Sequence, residues 1–128
     1  MTDPLGTAAL AAREHSVAPY SHFRVGAALE DSDGSVHTGC NIENATYGLT
    51  LCAERVAVFK VLSEGSRSFR RIAIAADTDT LTPPCGACRQ ILWEFCGNLE
   101  ILLLNPRGQS EVLHLKDLFP RAFDASFL

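Results

Sequence analysis

The sequence predicts a three-layer α/β/α sandwich around a five-stranded mixed sheet. Three observations point there. Residues 72–76 and 101–104 are short, wholly apolar runs bounded by turn formers, the pattern of strands covered on both faces. Segments with helical spacing of apolar residues alternate with them, as in layered α/β folds. Asp33-Gly34 separates two further strand-like stretches, a hairpin signal that brings antiparallel pairing into the same sheet.

Taken in chain order, Asp3-Pro4 reads as an N-cap followed by proline at the first helical position. Leu5, Ala8, Ala9 and Ala12 keep helical spacing, so a first helix is expected to reach about Val17, short of Pro19. Residues 23–29 and 35–40 form the hairpin strands around a turn at 31–34, and residues 41–48 are polar and loop-like. Thr50 is placed to cap a second helix over residues 51–64, ended by Gly65. That helix is apolar around most of its circumference, which predicts burial between layers. The basic stretch 67–71 is expected as a solvated connection, and the helix between the hairpin and the next strand implies a crossover. After a loop at 77–84, a third helix carries Cys88, Ile91, Leu92 and Phe95 on one face and stops at Gly97-Asn98. A turn at 105–108, a weaker strand at 111–115 and a short helical turn with a tail complete the chain.

The length, 128 residues, predicts a single domain spanning residues 1–128. Apolar residues make up 47% and charged residues 20%, which excludes a disordered chain. Eleven basic against fifteen acidic residues leave a net charge of -4, which argues against a nucleic-acid binder. No apolar run has the length of a membrane span and no basic segment opens the chain, so neither an anchor nor a signal peptide is expected and the cytoplasm is the default. Five cysteines, an odd number, suit reduced thiols or metal ligands better than a disulfide framework. A domain of this size buries roughly two thirds of its unfolded surface, so a closed pocket for a polar ligand is hard to build from one copy.

Cys85-Gly86-Ala87-Cys88 lies where a loop meets a helix, and Cys52 lies early in the preceding helix. Thiolates are favoured at both places by the positive end of the helix dipole. Three thiolates are enough for a zinc ion that keeps its fourth position open. A redox pair with Cys52 in the core fits the C-x-x-C equally well, and a structural zinc module without chemistry is a third reading. Glu54, on an otherwise apolar stretch, needs either a task or an ion-pair partner, Arg55 or Arg89. Residues i and i+2 point about 200° apart on a helix, so spacing alone does not put Cys52 and Glu54 together.

At these residues the chain resembles a known family. Cys52-Ala53-Glu54 with Pro84-Cys85-Gly86-Ala87-Cys88-Arg89-Gln90 is similar to the signature of the zinc-dependent cytidine and deoxycytidylate deaminases, a class marked by a P-C-x-x-C motif and a glutamate that does not ligate the metal. Pro19-Tyr20-Ser21-His22-Phe23, Val25-Gly26-Ala27-Ala28-Leu29, Gly39-Cys40-Asn41-Ile42-Glu43-Asn44 and Phe119-Pro120-Arg121-Ala122-Phe123 are similar to the small homotetrameric members of pyrimidine salvage.

The resemblance implies the cytidine deaminase-like fold and hydrolysis of cytidine and 2'-deoxycytidine to uridine and 2'-deoxyuridine with release of ammonia. It implies one Zn²⁺ per chain on Cys52, Cys85 and Cys88, with zinc-bound hydroxide attacking C4 and Glu54 shuttling protons. Arg55 is expected to hydrogen-bond the thiolates of Cys52 and Cys85, offsetting the negative charge of a three-sulfur site. Phe23, Asn41, Glu43 and Ala53 are implied as substrate-binding, with Asn41 and Glu43 on the ribose. Tyr47 and Phe123 match positions that serve a neighbouring subunit's site in a homotetramer. A deaminase of modified cytosine nucleosides shares both zinc motifs, but Asn41-Ile42-Glu43-Asn44 favours the plain nucleoside. Cys40 and Cys96 are expected as small core residues.

Overall fold

A computed structural model describes residues 3–128. Its nine regular elements are α1 (Pro4–Ala12), β1 (Val25–Asp31), β2 (Val36–Cys40), α2 (Ala53–Ser63), β3 (Phe69–Ala76), α3 (Gly86–Cys96), β4 (Glu100–Leu104), β5 (Ser110–His114) and α4 (Leu115–Leu118). The strands form one sheet in the order β2-β1-β3-β4-β5. Only β3 and β4 run parallel, so the sheet is mixed as expected.

Strand alternation divides the core into two layers. Ala28, Ala73, Ala75, Leu102 and Leu104 face Leu5 and Ala9 of α1. Their neighbours Ala27, Leu29, Ile72, Ile74, Ile101 and Leu103 face Ala57, Val58 and Val61 of α2 and Leu92 of α3. Both faces of β3 and β4 are therefore dry, which is why their sequences read as continuous apolar runs.

Several boundaries differ from expectation, each for a local reason. Asp3 caps α1, its side chain accepting from the Leu5 N–H at 2.9 Å, but the α-helix ends at Ala12 and a 3₁₀ turn, Arg13–His15, follows. Ser16 leaves helical geometry because its hydroxyl donates to Asn41 Oδ1 at 2.6 Å, and Val17 then pairs with residues beyond β2. The second helix begins at Ala53, with Cys52 and not Thr50 as its N-cap residue. Leu51 is held extended by two backbone hydrogen bonds to Ile42, and the Thr50 hydroxyl accepts from the Asn44 N–H instead. This helix is also not sandwiched within one chain, since Phe59 on its outer side is exposed.

The basic stretch is partly strand. Phe69, Arg70 and Arg71 extend β3 because β1 is long enough to pair with them through Asp31. On α3, Cys88 and Leu92 are buried but Phe95 is exposed, and Cys96 takes its expected place. At 100° per residue, position 96 returns closer to the direction of Leu92 than position 95 does. Gly97, at φ 69°, ends the helix as predicted. The fifth strand runs one residue earlier than expected, because Leu115 turns inward to start α4 and is fully buried.

One close approach positions the next site. A Cβ on Gly39 of β2 would lie 2.6 Å from both the Ala53 carbonyl oxygen and the Ala57 nitrogen. Only glycine lets the first turns of α2 lie this close to the strand. No helix among the described residues is long and apolar enough to cross a membrane.

Candidate active site

Two helix starts meet on the α2–α3 side of the sheet. Cys52 is the N-cap residue of α2 and Cys85 that of α3, while Cys88 lies in the first turn of α3. The three sulfurs lie within 4.8 Å of one another. Cys52 Sγ and Cys85 Sγ are 3.8 Å apart. Tetrahedral zinc with bonds of about 2.3 Å puts its sulfurs about 3.8 Å apart, so the Cys52–Cys85 pair already has that spacing and Cys88 lies within about 1 Å of completing it. Convergence of a third sulfur also separates this cluster from a simple redox pair.

The Cys52 thiol is lowered to about 5, first through a hydrogen bond with the Cys88 thiol and further by the Arg55 guanidinium. Cys88 is pushed up by the same bond and by burial. Arg55 Nη2 donates to Cys52 Sγ and to the Thr50 carbonyl, each at 3.3 Å. The expected second bond, from Arg55 to Cys85, is not among the hydrogen bonds of the described residues, and Arg55 Nε is buried without a partner. The guanidinium sits on the Cys52 side because the Thr50 carbonyl claims the same nitrogen.

Glu54 is 5% exposed and faces the same place as the cysteines. The helical-wheel objection falls away because Cys52 is extended, at φ -73° and ψ 155°, and so lies off the wheel. The Glu54 carboxyl is lifted to about 7, chiefly by burial and also by the nearby Cys52 charge, against hydrogen bonds with its own backbone N–H and with Cys88. Neither arginine partners it. Arg55 goes to Cys52, and Arg89 donates to the carbonyls of Pro84 at 2.8 Å and Leu118 at 2.7 Å. A buried carboxyl without an ion pair, poised near neutrality, suits proton transfer.

A cavity of about 330 Å³ opens over these groups. Phe23, Asn41, Glu43, Ala53 and Glu54 all line it, together with Cys52 and Cys85, while Cys88 is buried behind. Asn41 spends most of its amide on the fold: Oδ1 accepts from Ser16 Oγ and from the Val25 N–H, and Nδ2 donates to the Phe23 carbonyl at 2.7 Å. One amide hydrogen is left over. Glu43 Oε1 accepts from the backbone N–H groups of Tyr20 and Ser21, and Oε2 accepts from the Ser21 hydroxyl. The Ser21 bond, more than any other, holds the Glu43 carboxyl below the usual range.

Ser21 is a cavity residue to which sequence reasoning gave no role. Its hydroxyl also accepts from the Phe23 N–H, and between them His22 stands at φ 59°, a left-handed conformation costly for a non-glycine residue. The signal was there, since Ser21 lies inside Pro19-Tyr20-Ser21-His22-Phe23. Tyr47 and Phe123 do not reach this cavity. Tyr47 lines an adjoining depression with Tyr20 and Glu43, and both aromatics are exposed, at 76% and 56%. Cys40 and Cys96 are partly buried away from the cluster, and burial pushes the Cys96 thiol up to about 12.

Comparison with known proteins agrees with this geometry. Residues 3–102 match the family described as the cytidine and deoxycytidylate deaminase zinc-binding region. The cytidine deaminase of Halalkalibacterium halodurans is 52% identical over 118 residues, covering 91% of this chain and 89% of its own. That of Sporosarcina psychrophila is 50% identical over 113 residues, covering 88% and 83%. The crystal structure of cytidine deaminase from Burkholderia pseudomallei superimposes with a TM-score of 0.91 at 50% identity, covering 96% of this chain and all of that one. With three cysteine sulfurs clustered within 4.8 Å beneath a cavity that also holds a buried carboxyl, the chain belongs to the zinc-binding cytidine and deoxycytidylate deaminase family.

Proposed function

We propose that this chain, working as a single unit over residues 1–128, hydrolyses cytidine and 2'-deoxycytidine to uridine and 2'-deoxyuridine with release of ammonia. The observation that carries the reading is the buried Glu54 carboxyl, which has no ion-pair partner and lines the same cavity as Cys52 and Cys85. Zinc held by Cys52, Cys85 and Cys88 would supply an acidified water at its open fourth position. Glu54 is the residue that would hold the proton given up by water and pass it to ring N3. The same carboxyl would then move the proton of the hydroxyl added at C4 to the departing amine, so one group serves as base and acid in turn. Arg55 draws charge from the Cys52 sulfur and keeps the three-sulfur cluster from becoming too electron-rich.

Phe23 and Ala53 form apolar walls for the nucleoside. The spare amide hydrogen of Asn41 and the Glu43 carboxylate face the sugar, and the charge of Glu43 disfavours a 5'-phosphate. The exposed aromatics Tyr47, Phe59 and Phe123 support assembly of four copies in which Tyr47 and Phe123 complete a neighbour's cavity. A cytoplasmic setting suits an active site built on free thiols. The test is to incubate the purified protein with cytidine and follow the ultraviolet change on conversion to uridine. Steady conversion supports the reading; a zinc-loaded protein that leaves cytidine untouched overturns it.

A further inference from the structure

Helix α3 does two jobs along its length. Its start holds Cys85 and Cys88, and the side chains that follow hold the C-terminal strap. Gln90 Nε2 donates to the Phe123 carbonyl at 3.0 Å, and Trp93 Nε1 donates to Asp124 Oδ2 at 3.1 Å. Among the described residues, positions 120–124 make no backbone hydrogen bond as donors, and Arg121 stands at φ 54°. The strap therefore has no ladder of its own, and these two side-chain bonds fix its path. Its outward product is a pair of rings, Phe123 stacked on Phe127 with centroids 5.6 Å apart and planes 13° off parallel.

We propose that Gln90 and Trp93 are positioning residues that hold the strap so that the Phe123 ring is presented, in a fixed place, to the cavity of a neighbouring copy. The inference rests on the shared-site reading above and adds to it the groups that aim the ring. Gln90 and Trp93 are three residues apart, on one face of a helix whose first turn is pinned at the cysteine cluster, so the ring and the metal loop share one rigid mount. A ring that is correctly placed only part of the time weakens apparent substrate affinity by that fraction. Losing one neutral hydrogen bond corresponds to about a 2- to 12-fold change in such an equilibrium.

The experiment uses Gln90→Leu, and Trp93→Phe as a second variant that keeps a ring and loses only the N–H. Gln90→Leu is expected to raise KM for cytidine about 2- to 12-fold, and Trp93→Phe, whose lost bond is to the Asp124 carboxylate, by more, each with a smaller change in kcat and zinc content retained. Each variant is then co-expressed with Glu54→Gln under separate tags and the mixed oligomers are isolated. The Glu54→Gln chain lends an intact strap to a site whose own strap is loosened, so activity with the original KM should reappear. Phe123→Ala mixed with Glu54→Gln serves as the control. If the control regains nothing, the shared-site reading fails and this inference with it. If the control recovers and the Gln90 and Trp93 mixtures do not, or if their KM never changes, the positioning role alone is overturned.

Discussion

Replacing Gly39 by alanine tests how the fold delivers the site. The added Cβ would meet two backbone atoms of α2, the Ala53 oxygen and the Ala57 nitrogen, both at 2.6 Å, and neither can rotate away. Ordinary contact begins at 3.4 Å, so the start of α2 must retreat by about 0.8 Å, and displacement on the order of 1 Å in a catalytic group costs about 100-fold in rate. The first residues to move are Cys52, Ala53 and Glu54, because they begin that helix. Overpacking of this kind also costs about 1 to 3 kcal/mol, which for a domain of this length lowers Tm by roughly 3 to 12 °C. Thermal unfolding and cytidine turnover, measured on one preparation, read both effects. A Gly39→Ala protein that melts within about 1 °C of the parent and keeps its kcat/KM would refute the close approach as the device that places Glu54.

Other expectations concern the cluster and the termini. Arg55→Ala removes the donor to Cys52 Sγ, and competition with a chromophoric chelator should show zinc affinity lower by about 10- to 100-fold; unchanged affinity and turnover would remove its assigned role. Asp3 is held below the usual carboxylate range by Arg71, whose Nη1 and Nη2 reach its two oxygens at 2.5 and 3.0 Å. Its folded pKa is thus below its unfolded one, so its contribution is complete above the unfolded value and lost as pH falls through the folded value. Asp3→Asn keeps the N-cap acceptor oxygen and removes the charge, so stability near pH 7 should fall by less than about 1 kcal/mol and the decline in acid should become shallower. Equal acid slopes for the two proteins would count against the pair.

Much of this molecule is legible in its sequence, and the exceptions have a common cause. The dry strands at 72–76 and 101–104, the Asp33-Gly34 hairpin and the Gly97 stop follow from local chemistry and appear where it puts them. What local chemistry misses is competition from distant groups. Ser16 could continue α1, but the Asn41 side chain draws it away, and Leu51 could open α2, but Ile42 pairs with its backbone. The same competition explains the cluster. An extended Cys52 at the N-cap is what allows it to share a cavity with Glu54, and no helical periodicity shows that. Ser21 went unassigned because its value lies in holding the Glu43 carboxylate and the left-handed His22 turn, contacts made across the fold. Arg89, which the sequence offers beside Arg55 as a candidate partner for Glu54, instead ties the loop before Cys85 to the end of α4.

The central claim is that a buried carboxyl beside a three-sulfur zinc site performs the proton transfers. Glu54→Gln changes that one group while keeping its size, so zinc content and cytidine turnover of this variant test the claim most directly. The predicted result is about one zinc retained per chain with turnover lower by about 100- to 10,000-fold, the usual share of a positioned acid and base. Retained zinc with undiminished turnover would contradict it.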